Sequence, residues 1–97
     1  MDRKSRERPP QTIRIVIADD HPIFRQGLRV LLEAESGFAV AGEAADGEET
    51  VRLCRQLKPD VLLLDLAMPK MPGMEALRQL AASASPVRTI LLAAAVE

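Results

Sequence analysis

At 97 residues, with 47% apolar and 28% charged side chains, the chain has the composition of one globular domain around one hydrophobic core, and a second folded module does not fit. Its 13 basic and 14 acidic residues leave a net charge of −1, which excludes an overall field for nucleic acid or an acidic membrane; two Phe and no Trp or Tyr leave few surfaces for stacking on bases. Cys54 is the one cysteine, which excludes an intramolecular disulfide and a Cys-based metal site, and no apolar run suits a membrane span or signal peptide, so a cytoplasmic protein is expected.

Residues 1–11 mix charge with Pro9 and Pro10 and lack apolar periodicity, so they read as a disordered tail with solvated basic residues. The domain proper is residues 12–97. Ile13 to Ala18 is a β-branched run that stops at Asp19 and Asp20 and predicts the first strand. Asp20, His21 and Pro22 then open a helix, with an acid able to cap free N–H groups and a proline suited to the first turn. Phe24, Leu28, Leu31 and Leu32 follow at helical spacing as its buried face, and Ser36-Gly37 marks its end. Phe38 to Ala41 is a second short strand. Asp46 and Glu49 stand three apart like a capping box at the start of helix two, whose buried face is Val51, Cys54 and Leu57. Lys58-Pro59-Asp60 stops that helix. Val61 to Leu64 is apolar without alternation, as in a strand covered on both faces. The loop from Leu66 to Gly73 holds two prolines that forbid regular structure. Helix three begins near Met74 with Leu77, Leu80 and Ala81 on one face. Ser83 to Pro86 is a linker, and Val87 to Ala93 a fourth strand. This βαβαβαβ order predicts an α/β fold with a parallel sheet and helices on both faces.

Strands one and three both end in acid, at the edge of an open parallel sheet where ligands gather. If those strands are neighbours, Asp19, Asp20 and Asp65 share one pocket, and their mutual repulsion favours a bound cation. Mg²⁺ suits one or two carboxylates completed by water and a phosphate oxygen, and it would align a phosphoryl group for attack by a carboxylate. Ordinary roles stay open: Asp20 as the cap of helix one, Asp19 as a strand-end acceptor. Asp65, directly behind four apolar residues of an interior strand, is hardest to explain without a partner or an ion. His21 is expected as an exposed helix-start residue rather than a ligand or base. Met68, Met71 and Met74 are expected to pack the loop rather than bind metal.

Three blocks in this order, Ile15 to Pro22, Val40 to Gly47 and Asp65 to Gly73, resemble the response-regulator receiver domain, within it the NarL/FixJ-like branch. The likeness runs from Ile13 to about Glu97. It implies a flavodoxin-like, doubly wound parallel sheet, here incomplete: strand order 2-1-3-4, with the family's fifth strand and last helices missing. It further implies that Asp65 accepts a phosphoryl group from a histidine kinase in a two-component system or phosphorelay. Asp20 would bind Mg²⁺ directly, Asp19 directly or through water, and the main-chain carbonyl of Ala67 would complete the protein ligands. Such a domain is a phosphoacceptor rather than an enzyme. Two departures stand out. Ala93 takes the place of the Thr or Ser whose hydroxyl follows the phosphoryl group, and the chain ends before the strand that would carry a pairing Lys.

The resemblance therefore implies a signalling receiver with impaired switching; the alternative is a phosphorylation-independent dimerisation or interaction module of the same fold. A nucleotide binder would want a Gly- or Ser/Thr-rich loop after strand one, and a phosphohydrolase would want its two acids spaced by one residue; neither is present. Strand four would form an apolar edge without proline or charge, so a homodimer or an exchange of elements between chains is expected. The other reading of the same feature is a fragment of a longer regulator. No direct nucleic-acid binding and no membrane association are expected.

Overall fold

The computed structural model describes residues 12–65, 68, 73–82 and 88–92. The elements run β1 (Ile13–Ala18), α1 (Pro22–Glu33), β2 (Phe38–Ala44), α2 (Gly47–Leu57), β3 (Val61–Asp65), α3 (Gly73–Ala82) and β4 (Arg88–Leu92). The strands form one parallel sheet in the order β2-β1-β3-β4, as the resemblance implies. The tail of residues 1–11, most of the loop after Asp65 and the linker from Ser83 to Pro86 lie outside the described residues, as do Ala67, Met71 and Ala93.

Because successive strand side chains point to opposite faces, the apolar runs feed two faces of the sheet. Val16 and Ala18 of β1 and Leu62 and Leu64 of β3 are fully buried, and they pack with Val51 and Cys54 of α2, Ala76 and Leu80 of α3, and Met68. Helices α2 and α3 lie against each other on this side. Helix α1 covers the other side, where it packs chiefly on β2 and also on β1. The consequence shows in β3: its alternate residues Val61 and Leu63 are half-buried where Leu62 and Leu64 are sealed. The expected buried stripe of α1 is not realised among the described residues. Phe24 is 49% and Leu31 69% exposed, Leu28 and Leu32 are half-buried, and no residue of the helix is fully buried. The spacing was right for a helix, but among the described residues α1 rests chiefly on β2 and β1, and the part of its stripe turned away from them stays uncovered.

Several local details differ from expectation for identifiable reasons. Strand β2 continues to Ala44, because Ala41 bulges between Ile15↔Val40 and Val16↔Gly42 and the pairing then resumes. At Gly42 a side chain would meet the Leu57 and Leu53 methyls, so glycine lets α2 sit close on β2. Asp20 does not cap α1. The cap position is His21, whose side chain makes no capping bond. Asp46 does cap α2, accepting from the Glu49 N–H at 2.8 Å, and Glu49 reaches back to the N–H of Ala45 at 2.9 Å, one residue before the position a capping box uses. The far end of α2 closes on Lys58 in the left-handed region, φ 49°. There Arg14 of β1 donates to the carbonyls of Leu57 and Lys58, which pins the helix end to the sheet.

Candidate metal centre

The pairing of β1 with β3 sets the site. Ala18 stands opposite Leu64, so the residues that follow, Asp19 and Asp65, emerge side by side at the carboxyl end of the two central strands. Both are buried, each 5% exposed. Asp20 follows on the turn into α1, its side chain 31% exposed. One ligand atom from each of Asp19, Asp20, His21 and Asp65 lies within 4.8 Å of the others. The predicted trio of acids is therefore brought together, and His21 joins it.

The hydrogen bonds explain how the turn holds this shape. Oδ1 of Asp19 accepts from the main-chain N–H of His21 at 2.8 Å and lies 2.7 Å from its ring Nδ1. The same Nδ1 stands 3.1 Å from Oδ1 of Asp20. That contact is within ion-pair range but not aligned as a hydrogen bond, and Oδ1 of Asp20 is a fully buried oxygen with no hydrogen-bond partner. A buried carboxylate oxygen left so is costly unless a cation or donor meets it. An oxygen-rich set with one orphaned acceptor fits a hard divalent ion such as Mg²⁺. The carboxylates also act on His21: the hydrogen bond to Asp19 and then the charge of Asp20 raise its pKa above the ordinary 6.5.

A second group supports the first from beneath. Arg25 of α1 donates to the main-chain carbonyl of Asp19 at 2.7 Å and through Nε to Glu43 of β2 at 3.0 Å. Arg29, one turn on, donates to the other oxygen of Glu43 at 2.7 Å. Burial by itself would raise the Glu43 pKa, but the hydrogen bonds from Arg29 and Arg25 outweigh it and hold the carboxyl below its usual range. This clamp ties the acidic turn to α1 and β2. Neither Arg25 nor Glu43 was singled out from the sequence, which placed His21 as an exposed helix-start residue; its side chain is exposed, but its ring stands against Asp19 and Asp20. Two arginines four apart on a helix facing an acid near a strand end are a faint signal, legible once α1 is known to lie over β2.

Residues 15–97 match the family of the response regulator receiver domain. The chain is similar to the transcriptional regulatory protein LiaR of Bacillus subtilis, 46% identical over 82% of this chain and 38% of LiaR. It is also similar to the response regulator UvrY of Escherichia coli, 42% identical over 82% of this chain and 37% of UvrY. It thus spans less than two-fifths of the length of either relative. Among solved structures it superposes on the signal receiver domain of the response regulator NarL from Mycobacterium tuberculosis with a TM-score of 0.85 and 38% identity, over 91% of this chain and 71% of that one. The response regulator domain of Thermotoga maritima CheB gives a TM-score of 0.83 at 35% identity, over 89% of this chain and 63% of that one.

Proposed function

The chain belongs to the response regulator receiver domain family, and from that premise we propose that it accepts a phosphoryl group on Asp65 from a histidine kinase, at a centre that holds Mg²⁺. The observation that carries this reading is the position of Asp65: buried at the end of an interior strand, with ligand atoms of Asp19, Asp20 and His21 within 4.8 Å. An oxygen of the Asp65 carboxylate attacks phosphorus, a P–O bond forms, the P–N bond of the donor phosphohistidine breaks, and the electron pair returns to the imidazole. Asp20 and Asp19 would hold the ion, with the carbonyl of Ala67 as a further proposed ligand. The ion, when bound, supplies positive charge against the phosphoryl oxygens. Arg25 keeps the Asp19 main chain in place, and the apolar packing of Leu62 and Leu64 fixes where Asp65 emerges.

The proposed role is that of a phosphoacceptor in two-component signalling, in the cytoplasm, rather than of an enzyme in its own right. With Ala93 at the position of the family's hydroxyl, phosphorylation is proposed to couple weakly to conformational change. Ala93 and the exposed apolar side chains of α1 favour a second reading, a phosphorylation-independent interaction module. Incubation with Mg²⁺ and a small phosphodonor, followed by intact mass, separates the two. A gain of one phosphoryl group in the parent and none in Asp65→Asn is the expected result; no gain in either favours the interaction module.

A further inference from the structure

The direction of the His21 ring is set by the acids of the turn rather than by capping or packing. His21 occupies the cap position of α1 without making the capping bond, and its side chain is 69% exposed, so no packing fixes it. Instead the ring turns back over the acids, with Nδ1 2.7 Å from Asp19 Oδ1 and 3.1 Å from the orphaned Oδ1 of Asp20. We propose that His21 is itself a ligand of this centre through Nδ1, so that the site binds octahedral transition-metal dications that favour imidazole, such as Ni²⁺, as well as Mg²⁺.

The spacing is that of a coordination shell. An octahedral ion with bonds of about 2.1 Å holds neighbouring ligand atoms about 3.0 Å apart and opposite ones about 4.2 Å apart. The two Nδ1 to oxygen distances, 2.7 and 3.1 Å, match neighbours in such a shell. The widest separation in the group, within 4.8 Å, exceeds the diameter by about half an ångström, which rotation of the exposed His21 side chain can close. Oδ1 of Asp20, which accepts no hydrogen bond and stands in ion-pair range of the His21 ring, gives the ion an anionic ligand beside Nδ1. Chemistry then sets the preference. Carboxylate oxygens alone suit Mg²⁺, whereas adding an imidazole nitrogen raises the affinity for later first-row ions far more than for Mg²⁺. To present the Nδ1 lone pair to the ion, the neutral ring would carry its hydrogen on Nε2.

The proposal rests on the metal-centre reading given above, and the test separates the two. The untagged full chain, His21→Ala and His21→Gln are titrated calorimetrically with MgCl₂ and with NiCl₂ at one pH. His21 is the chain's sole histidine, so Ni²⁺ has no other imidazole to bind. Both variants are expected to lose about tenfold or more in Ni²⁺ affinity, as loss of a ligand requires, and to change in Mg²⁺ affinity by less than about twofold. In the parent, Ni²⁺ should also shift and broaden the imidazole proton resonances. Equal Ni²⁺ affinity in parent and variants, or Ni²⁺ and Mg²⁺ affinities that fall by the same factor, overturns the role of His21. Absence of Mg²⁺ binding in the parent strikes the phosphoacceptor reading instead, and the Ni²⁺ titrations still decide the role of His21.

Discussion

Asp19 and His21 hold each other twice, once through the main-chain N–H and once through the ring, and this makes the single histidine a reporter of the whole acidic turn. In the metal-free protein its imidazole is expected to titrate above 6.5, because the Asp19 hydrogen bond and the Asp20 charge favour the protonated ring. A raised folded-state pKa stabilises the fold fully below the unfolded value and loses that contribution as pH rises through the folded one. NMR titration of the imidazole checks this; Asp19→Asn should return the value towards 6.5, and an unchanged value would rule out the Asp19 hydrogen bond as the main cause. Glu43 has the opposite sign. Its lowered pKa contributes stability above the ordinary carboxylate value of 4.5 that is lost as pH falls through the folded value. Cys54 behaves differently from both: fully buried in the core, its thiol is pushed up to about 11. It should resist alkylation at pH 8 in the native protein and react at the rate of a free thiol in denaturant. Rapid native labelling would mean that α2 opens easily from the sheet.

At the scale of elements, the two ends of α2 differ in quality. Its start is closed by Asp46 and Glu49, with the Thr50 hydroxyl bonded to the Asp46 carbonyl. Its end places a lysine, Lys58, at φ 49°. A Cβ there costs about 1 kcal/mol that glycine does not incur. Lys58→Gly should therefore raise stability by about 0.5 kcal/mol after allowance for the entropy glycine adds to the unfolded chain, measured by urea denaturation. A clear loss of stability would show that the lysine stem contributes packing that outweighs the strain. Gly37 makes the reverse case: at φ 100° it closes the turn after α1, and its carbonyl accepts from Ile13 at 2.7 Å. Gly37→Ala is expected to cost about 1 kcal/mol or more in the same assay.

For the whole molecule, the placement of apolar surface is the feature with consequences. Ile23, Val30 and Leu31 of α1 are more than half exposed, and β4 lies at an edge of the sheet among the described residues. An uncovered helix stripe and an apolar strand edge both favour association. Light scattering at a concentration of tens of micromolar is expected to show a dimer or larger species, with exchange of elements as one route to it. A monodisperse monomer sinks that expectation. Adding charge to the stripe, as in Leu31→Glu, should shift the distribution towards monomer if α1 forms the contact, and leave it unchanged if β4 does.

The sequence by itself determined which segments form strands and helices, and that three acids stand at strand ends. Those features depend on neighbours in the chain: β-branched runs favour extended backbone, Pro22 and Asp46 suit helix starts, and an acid after four apolar residues is anomalous wherever the strand lies. The parallel α/β fold was legible because alternating elements leave few topologies, whereas the strand order was implied only by the resemblance of three sequence blocks to the receiver family. Only the tertiary structure decided what meets across space. It set β1 beside β3, which turned Asp19 and Asp65 from separate strand ends into one site. It left half of the α1 stripe exposed, turned the His21 ring towards Asp19 and Asp20, and joined Arg25 to Glu43 beneath the turn. Periodicity reports which side of an element is apolar but not whether another element covers it. A side chain on a tight turn takes its direction from partners that no local pattern encodes.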